Sequence, residues 1–410
     1  MTPRAVARRV LGGLALAGAM VAGRPVRAQE APAPTDNRTQ LPALLRNSYF
    51  SVNLGRLDQP FSQDQLQPGF HADSVEVPPL AARVMLIGHE FNRFVAVQAS
   101  YQRPVRYVTY TGLAPGGTDS HHVRVNFGTL TLKGRAPIGG RLHAYAESGL
   151  AITSRTGFTS ATGAPVVTDA TYASILAGGG LELRAARSWD IMGGITFVPG
   201  KAAVHQPRTL FASLGFRYVM RPLPPDRVEA NQRGGYVFPE GVVQVEYSSG
   251  FGYGVNNFVS RKVPIFWGGH AEVDQGVAGH VELNVFHTRK VFALDVGASA
   301  GAYRTRLYRD CFYTGSIYPV LRFTLVRTAP ADFYLAYSLA GPTYISRTVL
   351  DGLDTGRHFT FQDFMGIGIF AGRRRNLNLG VKINHYSNGN IFPQNAGVKI
   401  PLTFGLGYAF

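Results

Sequence analysis

Leu377-Asn-Leu-Gly-Val-Lys-Ile-Asn-His-Tyr-Ser387 and, after a short loop, Val398-Lys-Ile-Pro-Leu-Thr-Phe-Gly-Leu-Gly-Tyr-Ala-Phe410 decide the fold. In the first segment the odd positions Leu377, Leu379, Val381 and Ile383 are apolar, and the even positions Asn376, Asn378, Gly380, Lys382 and Asn384 are polar or small. In the second the even positions Val398, Ile400, Leu402, Phe404, Leu406, Tyr408 and Phe410 are apolar, and Lys399, Pro401, Thr403, Gly405, Gly407 and Ala409 form the other face. Period-two alternation means strands with one apolar and one polar face. Alternation that persists to a terminal aromatic suits an outer-membrane barrel, apolar outside and polar within.

The odd parity of the first strand continues onto His385 and Ser387. A base and a hydroxyl therefore fall on the face expected to meet lipid, where polar side chains are costly and mark function. With both chain ends in the periplasm, the Gly372–Arg375 turn is periplasmic and the Asn388–Ala396 loop extracellular. His385 and Ser387 then sit at the outer-leaflet end of their strand, and the expected partner is lipid A or lipopolysaccharide.

His385-Tyr-Ser387-Asn388, the loop with Pro393-Gln-Asn395-Ala-Gly397 and the final strand resemble the C-terminal signature of the lipid A 3-O-deacylase (PagL) family. The resemblance implies an eight-stranded outer-membrane barrel with an outward-facing Ser–His site that hydrolyses an ester-linked acyl chain. It implies Ser387 as nucleophile, His385 as base, and Asn388 with Asn395 as oxyanion or substrate-binding groups. It also implies a Glu near Lys399, yet no Asp or Glu follows Asp363. Asp363 on the preceding strand is the candidate replacement acid, and the alternative is an interfacial Asp solvated among headgroups. A turn centred on Arg374 sets Asp363 directly opposite His385, because residues opposed across an antiparallel ladder share a face. The competing expectation is a structural or lipid-binding barrel that has lost its acid.

The N-terminus carries Arg4, Arg8 and Arg9, an apolar run Val10–Gly23 and Val26-Arg27-Ala28, which reads as a cleaved signal peptide over 1–28. Its removal subtracts five arginines and no acids, taking the formal charge from +16 to +11. An exported barrel does not meet nucleic acid, so anionic lipid is the expected counter-charge. The single Cys311 excludes an internal disulfide. His89, His121, His122, His280 and His287 have no ligand spacing, and neither metal nor cofactor is expected. Lys382 and Lys399 are expected to point into the lumen, and Arg373–Arg375 to form a solvated turn.

Residues 29–46 read as a flexible leader. Strands are expected near 48–56, 82–91, 94–109, 122–134, 141–153, 172–183, 189–198 and 209–220, separated by turn signals such as Gly139-Gly140 and Pro199-Gly200. Phe91-Asn-Arg-Phe94 and Leu214-Gly-Phe216-Arg-Tyr218 resemble OmpA-type barrels, which implies a first eight-stranded barrel over 47–220. The proline- and charge-rich 221–236 reads as a linker. A second set follows near 241–251, 279–288, 290–304, 311–327, 332–346, 357–371, 376–387 and 397–410, with Val263–Val273 either a further strand or an ordered loop. The expectation is all-β: two tandem eight-stranded antiparallel barrels, 47–220 and 237–410. One sixteen-stranded barrel is the alternative.

Overall fold

A computed structural model describes residues 37–233, 238–262, 268–392 and 394–410. The expected signal peptide and most of the leader lie outside the described residues. Two barrels form, each closed on itself, and this excludes the sixteen-stranded alternative. Among the described residues no helix is long and apolar enough to cross a membrane, and the crossing is by strands.

The first barrel is built in chain order from β1 (Ser48–Asp58), β2 (His71–Glu76), β3 (Leu80–Glu90), β4 (Val95–Pro104), β5 (Val108–Ala114), β6 (Gly117–Gly139) and β7 (Leu142–Thr156). The short β8 (Phe158–Thr159) and β9 (Pro165–Val167), then β10 (Ala170–Arg184), β11 (Trp189–Val198) and β12 (Thr209–Val219) complete it. Closure runs β1-β3-β4-β6-β7-β10-β11-β12 and back to β1. The single strand expected over 94–109 is two: β4 ends at Pro104, which has no N–H to continue the ladder. Strands β2 and β5 extend β6 beyond the barrel. Their apolar core holds Phe61, Leu66, Val108, Tyr110, Val123 and Val125. The lumen is filled by charge pairs, including bidentate Arg83–Glu147 at 2.7 and 2.9 Å, Lys133–Glu182 and Arg135–Glu90.

Where a plain linker was expected, Pro225–Gln232 forms a helix, α1, with proline at its first position, where no donor is lost. Part of the expected leader is also ordered: Arg38 donates to the carbonyls of Phe238 and Pro239 at 3.2 and 3.0 Å. The second barrel comprises β13 (Gly241–Ser248), helix α2 (Tyr253–Lys262), β14 (Ala271–His287), β15 (Phe292–Thr305), β16 (Cys311–Arg327) and β17 (Ala331–Ile345). It continues with the short hairpin β18 (Val349–Leu350) and β19 (Leu353–Asp354), then β20 (Phe359–Ala371), β21 (Leu377–Ser387) and β22 (Val398–Ala409). The eight long strands pair with their neighbours in order, and β22 closes on β13. Of the ambiguous stretch 263–273, residues 271–273 begin β14 and 263–267 lie outside the described residues.

Away from the first residues of β22, alternation holds as the sequence requires. Val245, Leu283, Val296, Ile317, Ile367, Leu379, Leu406 and Tyr408 cover the outside. Glu246, His280, Glu282, Asp295, Arg322 and Lys382 fill the inside. Glu246 lies 2.7 Å from His280 Nε2 and 2.6 Å from Lys382 Nζ as an ion-pair centre. Arg322 bridges Glu282 at 2.6 Å and Asp295. In the Gly372–Arg375 turn Arg373 and Arg374 are exposed, whereas Arg375 is not simply solvated. It clasps the neighbouring turn through the carbonyls of Thr328 and Ala329 and the Asp332 carboxylate.

Candidate active site on the outer face of the second barrel

Two β-bulges, one on β22 and one on β17, shape the end of the barrel that carries His385. On β22 the register passes from Lys382↔Thr403 to Asn384↔Ile400, so β22 carries one extra residue. One extra residue inverts parity, because side chains alternate with period two. Val398 and Ile400, expected to meet lipid, therefore turn inward and join the buried cluster with Tyr303, Phe312 and Tyr386. Lys399, expected in the lumen, turns outward and lies directly opposite His385. The unbroken alternation of the sequence hid this inversion. On β17 the register passes from Ser338↔Phe364 to Gly341↔Gln362, again with one extra residue. Ala340, in this bulge, is held at φ 54°, and its N–H is released from the ladder.

That freed N–H donates to Asp363 Oδ1 at 2.7 Å. Asp363 is paired with His385 across β20–β21, and its Oδ2 lies 3.4 Å from His385 Nδ1. The contact is long for a hydrogen bond, as acid–imidazole contacts often are without substrate. A carboxylate at Nδ1 favours the tautomer with its proton there and leaves Nε2 as the basic nitrogen. The other end of the ring faces β22: a Cβ added at Gly397 would sit 3.2 Å from Nε2. Ser387 follows two residues on, on the same face and half-buried, about 7 Å along the strand by the ordinary rise.

The dyad is not laid open to lipid as its parity suggested. His385 is 1% exposed and Asp363 4%. Gly269 approaches the Gly397 side, where His270 donates its N–H to the Ala396 carbonyl at 2.9 Å, and the β17 bulge wraps Asp363. Asn388, expected to steady an oxyanion, serves the loop instead. Its side-chain amide donates to the carbonyls of Thr355 at 3.2 Å and Gln394 at 2.9 Å, and its backbone N–H donates to Asn395 Oδ1 at 2.9 Å. Sequence reasoning missed the Ala340 N–H, because nothing in Ser338-Leu-Ala-Gly341 announces a bulge. It also missed Glu272, which pairs with Lys399 at 3.3 Å where β14 and β22 run parallel above the end of β13.

Residues 275–408 match the lipid A 3-O-deacylase (PagL) family model. The likeness expected from His385-Tyr-Ser387-Asn388 thus extends from within β14 to within β22, leaving out β13. Among solved structures, the outer membrane enzyme PagL matches with 15% identity over 41% of this chain and 98% of its own, TM-score 0.29. Neisserial surface protein A matches with 13% identity over 42% and 96%, TM-score 0.28. The N-terminal β-barrel domain of Pseudomonas aeruginosa OprF matches with 14% identity over 42% and 98%, TM-score 0.27. No curated protein matches. The chain is an outer-membrane β-barrel protein with a PagL-like second barrel. Asp363, His385, Ser387, Asn388, Asn395 and Lys399 all fall in the matched span, whereas Glu272 precedes it.

Proposed function

We propose that the second barrel is a serine esterase that removes an ester-linked acyl chain, at the 3-position, from lipid A in the outer leaflet. The observation that carries this reading is the Ala340 N–H–Asp363–His385 chain, with Ser387 two residues further along the same face of β21. A serine hydroxyl is a weak nucleophile until a base takes its proton, and the base works best when a third group orients it. Asp363 fills that third role in place of the Glu implied by the family resemblance. His385 Nε2 takes the Ser387 proton as Oγ attacks the ester carbonyl. The tetrahedral intermediate collapses as the imidazolium returns the proton to the departing sugar oxygen, leaving acyl-Ser387. Water, deprotonated by His385, then releases the fatty acid and regenerates the hydroxyl. Asn388 and Asn395 act on this reaction by clasping the loop that follows Ser387.

Mass spectrometry of lipid A from cells producing the protein tests the proposal. Loss of one acyl chain with the wild-type protein and its retention with Ser387→Ala are expected. Unchanged lipid A with the wild type, or continued loss with Ser387→Ala, overturns it. A second reading, a lipid-binding barrel without catalysis, is favoured by the near-complete burial of His385. Reproducible labelling of Ser387 by a fluorophosphonate probe would count against that reading.

A further inference from the structure

The outer surface on the two sides of Ser387 differs in kind. On the β20–β17 side Ser387 is paired with Phe361, and Phe361 with Pro342. Phe359 packs edge-to-face on Phe361 at 5.1 Å and is paired with Tyr344, which is 59% exposed. On the β22–β14 side the residue opposite His385 is Lys399. Its ammonium lies 3.3 Å from Glu272 Oε1, and the same carboxylate takes Arg306 at 3.0 Å through Oε2. The Tyr253 ring lies against both cations, 5.7 Å from Lys399 Nζ and 5.4 Å from the Arg306 guanidinium. Beside them Asp274 is shared by Arg304 and Arg309.

Four cations thus share Glu272 and Asp274 on the outer face, with the Asp351 carboxylate close by, bound to the 305–308 loop. Lys399 is only 9% exposed, and a buried cation that holds half of one acid is poorly compensated. Its remaining N–H groups, and those of the half-exposed Arg306, suit the oxygens of a phosphate. We infer that Lys399 and Arg306 form an anion subsite for the phosphate monoester of a membrane glycolipid, with the acyl chain leaving Ser387 over Phe361 on the opposite side. The ester then lies across the strands between its headgroup and its chain. This inference rests on reading Ser387 as the reacting hydroxyl.

The test uses the full chain carrying Ser387→Ala, reconstituted in phosphatidylcholine vesicles, with bisphosphorylated and enzymatically dephosphorylated lipid A as paired probes. At least tenfold tighter binding of the phosphorylated lipid is expected. Lys399→Gln and Arg306→Gln should each bring that ratio below threefold, and Lys399→Arg should preserve it. Phe361→Ala should weaken both lipids alike and leave the ratio intact. A ratio that survives Lys399→Gln and Arg306→Gln together overturns the inference. So does displacement of the lipid by sub-millimolar inorganic phosphate, which would make this a site for the free ion. Hydrolysis by the wild-type chain is scored separately. Lysine-dependent binding without turnover would sink the esterase reading alone, and turnover without phosphate preference would sink this inference alone.

Discussion

At the scale of single residues, Asp363 and Gly397 hold the two ends of one imidazole. Asp363→Asn keeps the shape of the contact but presents the wrong group to Nδ1. Turnover is expected to fall about 10²–10⁴-fold with the barrel intact, as heat-modifiable migration and lipid A mass spectrometry would check. Ala340 contributes only its backbone N–H and sits at φ 54°, a region that glycine enters without the Cβ penalty. Ala340→Gly should therefore retain activity and leave thermal stability unchanged or higher, by about 1 kcal/mol at most. Gly397 has φ +66°, and a Cβ there would press within 3.2 Å of Nε2 and 3.3 Å of the Gly269 Cα. Gly397→Ala is expected to lower turnover by at least an order of magnitude while the barrel still folds, readable in the same two measurements.

Among the elements, the loop between β17 and β20 shows how a connection is held without a core of its own. Asp351 accepts from Thr305 Oγ1 at 2.5 Å and from the N–H groups of Tyr308 at 2.8 Å and Leu307 at 3.1 Å. Burial raises its pKa, but these hydrogen bonds to the charged form outweigh burial and hold the carboxyl below its ordinary 3.8. Because the folded value is depressed, its contribution is fully present above the unfolded pKa and is lost as pH falls through the folded one. Limited proteolysis of the 346–358 loop should therefore be slow at neutral pH and accelerate only below about pH 4. Asp351→Asn should show fast cleavage at pH 7 already. Equal cleavage rates of the two proteins at pH 7 would contradict this account.

For the whole molecule, the decisive fact is that each barrel closes its own ladder, so neither leaves an open edge for the other to complete. The proposed chemistry also draws only on β13–β22 and the loops between them. A chain of residues 223–410 behind an export signal is expected to fold and to deacylate lipid A at a rate within about threefold of the full chain. It lacks the Arg38 hydrogen bonds to Phe238 and Pro239, so its melting temperature should be a few degrees lower. A folded but inactive piece would assign the first barrel a part in the reaction.

The residues alone determined the all-β class and the closing strands and favoured two barrels over one, because period-two alternation and turn chemistry are local. They also put Asp363 and His385 on one face of adjacent strands, and the structure, among the registers that parity allows, sets the two opposite each other. The inversion of β22 was not legible in Val398–Phe410. A bulge is selected by packing, here by the burial of Val398 and Ile400 with Tyr303, Phe312 and Tyr386, which come from three other strands. For the same reason the Lys399–Glu272–Arg306 cluster and the Ala340 N–H were beyond the sequence. Glu272 stands 127 residues from Lys399, and Ala340 stands 23 from Asp363. Only closure of the barrel brings β14 against β22, and only the β17 bulge frees the donor that Asp363 accepts.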